Sequence, residues 1–166
     1  MTRITAFRNL MIIGVSVVLV SGIGTQARAQ METGENIVES IGQFGQIQYF
    51  HTLLEDTGLV EKLEGDESYT VLAPTNQAFQ EVPSEVMEEL VGDVDKMREL
   101  IRAHIFPGAV QAGDLAGLDE LTSVQGAEYE VVHGEQGISV GGVMMVAADI
   151  IATNGVVHAT DAVILP

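Results

Sequence analysis

The dipeptide Asn154-Gly155, set between two apolar runs rich in valine and isoleucine, constrains this chain more tightly than any other feature. Asn-Gly is the strongest short-range signal for a two-residue β-hairpin, because both central residues of that turn need positive φ. It predicts pairing of residues 143–151 with residues 156–159. Upstream, residues 129–132 and 138–140 are also short and β-branched, and they are bounded by turn residues at 133–137 and Gly141-Gly142. After a polar break at Thr160-Asp161, residues 162–165 read as a last strand. The second half of the chain is therefore expected to be a meander of strands.

The first half has the period of a helix instead. Ile47, Phe50, Leu53 and Leu54 fall on one helical face, and Gly58 supplies a stop. A second helix is predicted from Ser84, read as its N-cap, to Gly92, with Glu85 in the first turn. In a third, Asp93 caps the start and Val94, Met97, Leu100 and Ile101 share a face. Arg102 and His104 stand at its C-terminal end, where the dipole favours a cation and would suit a protonated imidazole. Pro107-Gly108 ends whatever runs into it. Helices followed by a meander make an α+β domain, not a doubly wound parallel sheet.

The first residues predict a destination. Arg3 and Arg8 precede an apolar run over residues 10–23, and Ala27-Arg28-Ala29 places small residues at the two positions a signal peptidase reads. That order describes a secretory signal peptide over residues 1–29, too short for the about 20 residues of a spanning helix. Export would make the location secreted or periplasmic, with no stable membrane insertion after cleavage. Residues 30–35 read as a polar linker and residues 36–166 as one domain.

Beyond the leader only Lys62, Lys96, Arg98 and Arg102 are basic, against 24 acidic residues. Nucleic-acid binding is excluded as an expectation, because phosphates must be neutralised by clustered Lys and Arg. Adsorption to anionic lipid is disfavoured for the same reason. The chain has no cysteine, so disulfides, thiol nucleophiles and thiolate metal sites are excluded.

Two segments are more specific than this pattern. Residues 69–79 read Tyr-Thr-Val-Leu-Ala-Pro-Thr-Asn-Gln-Ala-Phe, a strand through Thr70 that ends at Pro74. Thr75 then caps a short helix containing Asn76, with Ala78 and Phe79 turned inward. Residues 154–166 begin with Asn154 and Gly155, return through His158, and break at Asp161. These segments resemble the two signature boxes of the fasciclin domain family, TVFAPTNxAF and NGVVHxIDxVLxP. Between them, residues 97–108 (MRELIRAHIFPG) are similar to the family's LxxLLxYHVxPG. The resemblance covers residues 36–166. It implies a β-wedge flanked by helices in a single compact domain. It also implies a role in cell adhesion, surface or matrix interaction through surface protein or carbohydrate partners, with interaction residues at His104, Ile105 and Pro107. The family's Tyr-His pair is Ala103-His104 here, so integrin binding does not carry over.

No catalytic constellation stands out, and an enzyme is not expected. His158 and Asp161 are close in sequence, but no serine sits in a Gly-x-Ser-x-Gly elbow. In a strand, His158 faces opposite Val157 and Ala159, which predicts a hydrogen-bonded core histidine tying the hairpin down. His51 is expected to flank the core, and no two histidines have zinc-site spacing. Glu64, Asp66 and Glu67, or Asp93 and Asp95, lack EF-hand order and read as solvated faces. Neither a metal nor a cofactor is expected. Met87, Met97, Met144 and Met145 suit either core packing or an adaptable apolar surface. The alternative function is therefore an extracytoplasmic binder of a small apolar ligand such as a carotenoid or lipid.

Overall fold

Asn36 opens the first helix with a reciprocal capping box: its side chain accepts from the Glu39 N–H, and the Glu39 carboxylate accepts from the Asn36 N–H. The computed structural model describes residues 31, 32 and 34–165. The predicted leader and its cleavage site lie outside them. The helices are α1 (Ile37–Gln43), α2 (Gln48–Thr57) after a 3₁₀ turn, α3 (Val60–Leu63), α4 (Asn76–Gln80), α5 (Ser84–Gly92), α6 (Val94–Ala103) and α7 (Ala112–Leu115). The strands are β1 (Met31–Glu32), β2 (Tyr69–Pro74), β3 (Ile105–Pro107), β4 (Glu120–Thr122), β5 (Glu128–Gly134), β6 (Gly137–Val140), β7 (Val143–Ala152) and β8 (Gly155–Thr160).

The strand order is β3-β2-β8-β7-β6-β5-β4, with β1 added parallel to β7. Met31 and Glu32, assigned to a linker from sequence, thus pair with Ile150 and Ile151. From β4 to β8 every pairing is antiparallel, the meander that the second half predicts. Like β1, β2 pairs with a strand distant in the chain: it lies parallel to β8 over six residues from Tyr69–Gly155 to Pro74–Thr160. The two signature segments are therefore neighbouring strands. At the sheet's far ends, the Val124 N–H donates to the Ile105 carbonyl, so the sheet curls toward closure as a wedge.

Both central strands are buried along their whole length, because each face of the sheet has its own core. On one face Val71, Ala73, Val157 and Ala159 pack with Ile37, Phe50, Leu54 and Leu100 of the helices. On the other, Leu72 joins Phe106, Leu115, Val140 and Ile164. Alternation along β2 decides which side chain goes to which core.

Three local expectations need correction. Ser84 is the first residue of α5 and not its cap; Pro83 is the N-cap, because its carbonyl accepts the first helical bond from Met87. The hairpin exists, but Ala152 pairs with Gly155, so the turn is Thr153-Asn154 and Asn154 does not adopt positive φ. What requires glycine at 155 is space: a Cβ there would lie 1.9 Å from the Tyr69 carbonyl oxygen on β2. The final strand at 162–165 does not form. The Ile164 N–H that a ladder would use donates instead to the His104 ring.

Candidate functional site

Asn76 is the residue around which the surface between the two signature segments is built. Helix α2 begins without a side-chain cap, leaving its first N–H groups in need of acceptors. The Asn76 Oδ1 accepts from the Tyr49 N–H at 2.9 Å, and its Nδ2 donates to the Gly45 carbonyl at 2.8 Å. One side chain from the first segment thereby caps α2 and fixes the turn before it. Thr75 caps α4 by accepting from Ala78, and Ala78 and Phe79 point into the core as the sequence predicts. The second segment arrives from β8: Asp161 donates its N–H to the Met144 carbonyl and accepts from the Met144 N–H.

Between these parts lies an open groove of about 770 Å³ lined by Gln46, Asn76, Gln77, Gln80, Glu81 and Asp161 together with the exposed Val146. The side chains of Gln46, Gln77 and Gln80 are exposed and bond no other described residue. A second depression, sharing Asn76 and Gln80 with the groove, continues toward Met87. Tyr49 lines this second depression, edge-on to Phe79 with ring centroids 4.8 Å apart. Sequence reading singled out Asn76 and Asp161 but missed Gln46, Tyr49, Gln77 and Gln80. The i, i+3 spacing of Gln77 and Gln80 on a helix was the available signal for the last pair.

The remaining motif residues are internal fastenings. Thr70 is fully buried; its hydroxyl donates to the Gly108 carbonyl at 2.6 Å and accepts from the Val110 N–H. His158, also without exposed surface, accepts from the Asp149 N–H at Nδ1 and donates from Nε2 to the Val110 carbonyl. Asp149 sits at φ 58° in an irregular stretch of β7, and its carboxylate accepts from the Ala112 N–H. Thr70, His158 and Asp149 thus hold the segment from Gly108 to Ala112 against the sheet. Asp149 was missed, because nothing in a strand-like run marks a bulge. Asn154 accepts from the Ile37 N–H and donates to the Leu63 carbonyl, tying the hairpin tip to α1 and α3.

His104 requires a correction. It does end α6, but as a neutral imidazole. Burial lowers its pKa to about 4, against the smaller opposing effect of its bond to Leu100. Nδ1 donates to the Leu100 carbonyl and Nε2 accepts from the Ile164 N–H, so the ring staples the C-terminal segment to α6. His104 and Ile105 have no exposed surface, and of the three interaction residues implied by resemblance only Pro107 reaches solvent. Burial likewise lowers the pKa of His158, partly offset by its Val110 bond and by Asp149. Each ring has both nitrogens committed to backbone groups, which leaves neither histidine a free position for proton transfer. His51 flanks the core half-buried, its Nδ1 3.7 Å from the Glu55 carboxylate. Met87 and Met97 pack with the helical core and Met145 with the core on the opposite face of the sheet.

Comparison with known proteins agrees with this geometry. The family model described as "Fasciclin domain" matches residues 45–166. A Synechocystis protein, sll1483, is 30% identical, with 87% of this chain and 89% of that protein aligned. Transforming growth factor-beta-induced protein ig-h3 of Sus scrofa is 34% identical over 66% of this chain, which spans only 16% of its length. The cell surface glycolipoprotein MPB83 of Mycobacterium bovis is 29% identical over 67% of this chain and 49% of its own. Among solved structures, a FAS1 domain pair from the insect cell adhesion molecule Fasciclin I superposes with a TM-score of 0.58. That match covers 72% of this chain and 45% of the other at 22% identity, and it establishes the shared fold. With the two signature segments paired as adjacent strands and the family model matched from Gly45 onward, the chain belongs to the fasciclin domain family.

Proposed function

We propose that this protein is an exported, non-catalytic module for cell adhesion or for surface or matrix interaction, binding a surface protein or carbohydrate by contact alone. The observation that carries this reading is the division of labour among its polar residues. Buried Thr70, His104 and His158 are committed to backbone groups, while the buried Ser123 hydroxyl is left without a partner among the described residues. Other unengaged polar side chains gather on the exterior, around the groove that both signature segments line. Such a surface offers contacts and no activated nucleophile. Family membership supports the same reading, as does the likeness to a mycobacterial cell surface glycolipoprotein. Among the described residues no helix is long and apolar enough to cross a membrane.

The test is retention. Purified protein is passed over cell-envelope polysaccharide and over intact cell surfaces beside a charge-matched control. Specific, saturable retention supports the reading, and retention no greater than the control's overturns it.

A second reading, a binder of small apolar molecules, is favoured by a pocket of about 310 Å³ between α2, α5 and α6. Its lining includes Leu53, Leu90, Val91, Val94 and Met97, and Val91 and Val94 are 64% and 56% exposed. Solvent extraction of protein purified from its native source, yielding a stoichiometric lipidic or coloured compound, would put this reading first.

A further inference from the structure

The groove between the two signature segments has a composition that selects among ligand classes. Its polar side chains include the primary amides of Gln46, Gln77 and Gln80, which bond no other described residue, and the carboxylates of Glu81 and Asp161, the latter already accepting from the Met144 N–H. Among the described residues no Lys, Arg or His lines it. An anion would meet two carboxylates and no cation. A fully apolar ligand would cover exposed amides without satisfying them, which costs binding energy for each group left unpaired. A metal ion would find only two carboxylates, and among the described residues no cluster of three or more His, Cys, Asp or Glu is placed to hold one. Hydroxyl groups fit all of these side chains. A primary amide presents a donor and an acceptor side by side, so it can serve two neighbouring hydroxyls at once, and carboxylates accept from hydroxyls.

The groove also has the second component that a sugar ring needs. Val146, 56% exposed, lines the groove itself, and Tyr49, 36% exposed and edge-on to Phe79, lines the adjoining depression that shares Asn76 and Gln80 with it. Met87 continues that apolar side in the adjoining depression. A pyranose ring has hydroxyls at its edge and C–H groups on its faces, so it needs both kinds of surface. The groove's volume of about 770 Å³ lies within the range of small-ligand sites, and its open shape lets a chain run through. The site is also preorganised. Asn76 spends both ends of its amide on the backbone of Tyr49 and Gly45, which fixes the aromatic wall against α4 before any ligand arrives.

We propose that this groove and the depression adjoining it bind a neutral saccharide chain, with the side-chain amides of Gln46, Gln77 and Gln80 bonding its hydroxyls and Tyr49, in the adjoining depression, covering a ring face. Asn76 is the positioning residue. The proposal rests on the interaction-module reading and narrows it to one site and one ligand class.

The experiment is an NMR titration of ¹⁵N-labelled protein with neutral hexasaccharides: β-1,4-glucan, β-1,4-linked N-acetylglucosamine, β-1,4-mannan, β-1,4-xylan and α-1,4-glucan. An anionic galacturonan hexamer is the control. The expected result is that at least one neutral oligomer shifts the side-chain amide signals of Gln46, Gln77 and Gln80, with a dissociation constant of about 1 mM or tighter. The double variant Gln77→Ala/Gln80→Ala weakens that affinity about tenfold or more while its melting temperature is unchanged, since both side chains are exposed. The proposal is overturned by no shift with any neutral oligomer at about 10 mM, by binding the double variant retains in full, or by binding of the anionic oligomer alone.

Retention on cell envelope separates this proposal from the broader one. Wild type and double variant retained equally would overturn the groove and leave the interaction module standing. Oligosaccharide binding at the groove without any envelope retention would do the reverse.

Discussion

Acidification from about pH 7 to pH 5 is expected to remove about 2 kcal/mol of folding stability through His104 alone. In the unfolded chain this histidine titrates at the ordinary value near 6.5, whereas in the folded protein burial lowers it to about 4. Below pH 6.5 the unfolded state therefore binds a proton that the folded state refuses, so stability falls with pH. The loss grows at up to about 1.4 kcal/mol per pH unit and levels off near the folded pKa at about 3 kcal/mol. Geometry gives the same sign independently. A proton on Nε2 would face the Ile164 N–H, two donors against each other, and would break the staple to the C-terminal segment. His158 adds in the same direction, because its Nδ1 is an acceptor for the Asp149 N–H.

Urea unfolding followed by circular dichroism, for wild type and His104→Gln, measures the effect as the difference between their pH slopes. The comparison is made above about pH 5, before protonation of carboxylates relieves repulsion among the acidic residues. Wild type should lose stability more steeply than the variant. An NMR titration of the wild-type ring supplies a second reading that does not require the variant to fold. Parallel slopes, or a His104 ring that titrates near 6.5 in the folded protein, would refute the reasoning.

Gly155→Ala is expected to destabilise by about 3 kcal/mol or more, because the new Cβ meets backbone on the parallel neighbour and also lies 2.6 Å from Ile37 Cδ1. A chemical denaturation midpoint within error of wild type would show that β2 and β8 are not packed this closely. Salt is expected to raise the melting temperature, since screening shortens the repulsion among 24 acidic residues to a range of about 8 Å at 0.15 M. A melting temperature that stays level or falls as NaCl rises from low to physiological concentration contradicts that expectation.

Helix α6 was legible in the sequence because its start, its apolar face and its end are all local: the Asp93 cap, then Met97, Leu100 and Ile101 at helical spacing. Helix α2 was legible for the same reason, including its left-handed stop at Gly58, φ 69°. Helix α1 was missed because seven residues show too little periodicity, although Asn36 and Glu39 carried a readable capping signal. The Asn-Gly pair announced the right hairpin for an incomplete reason. It promised turn geometry, whereas Asn154 is used for its side-chain amide and Gly155 for its missing Cβ.

From the residues alone came the α+β class, the meander, the family resemblance and the placing of His158 opposite Val157 and Ala159. All of these depend on neighbours a few positions apart. Only the tertiary structure decided that residues 69–74 and 155–160 lie side by side, that His104 is a buried neutral staple, and that Gln46, Gln77, Gln80 and Asp161 surround one groove. The physical reason is that burial and ligand geometry arise from groups far apart along the chain. Whether a polar side chain fastens the core or faces a partner depends on what the fold brings against it.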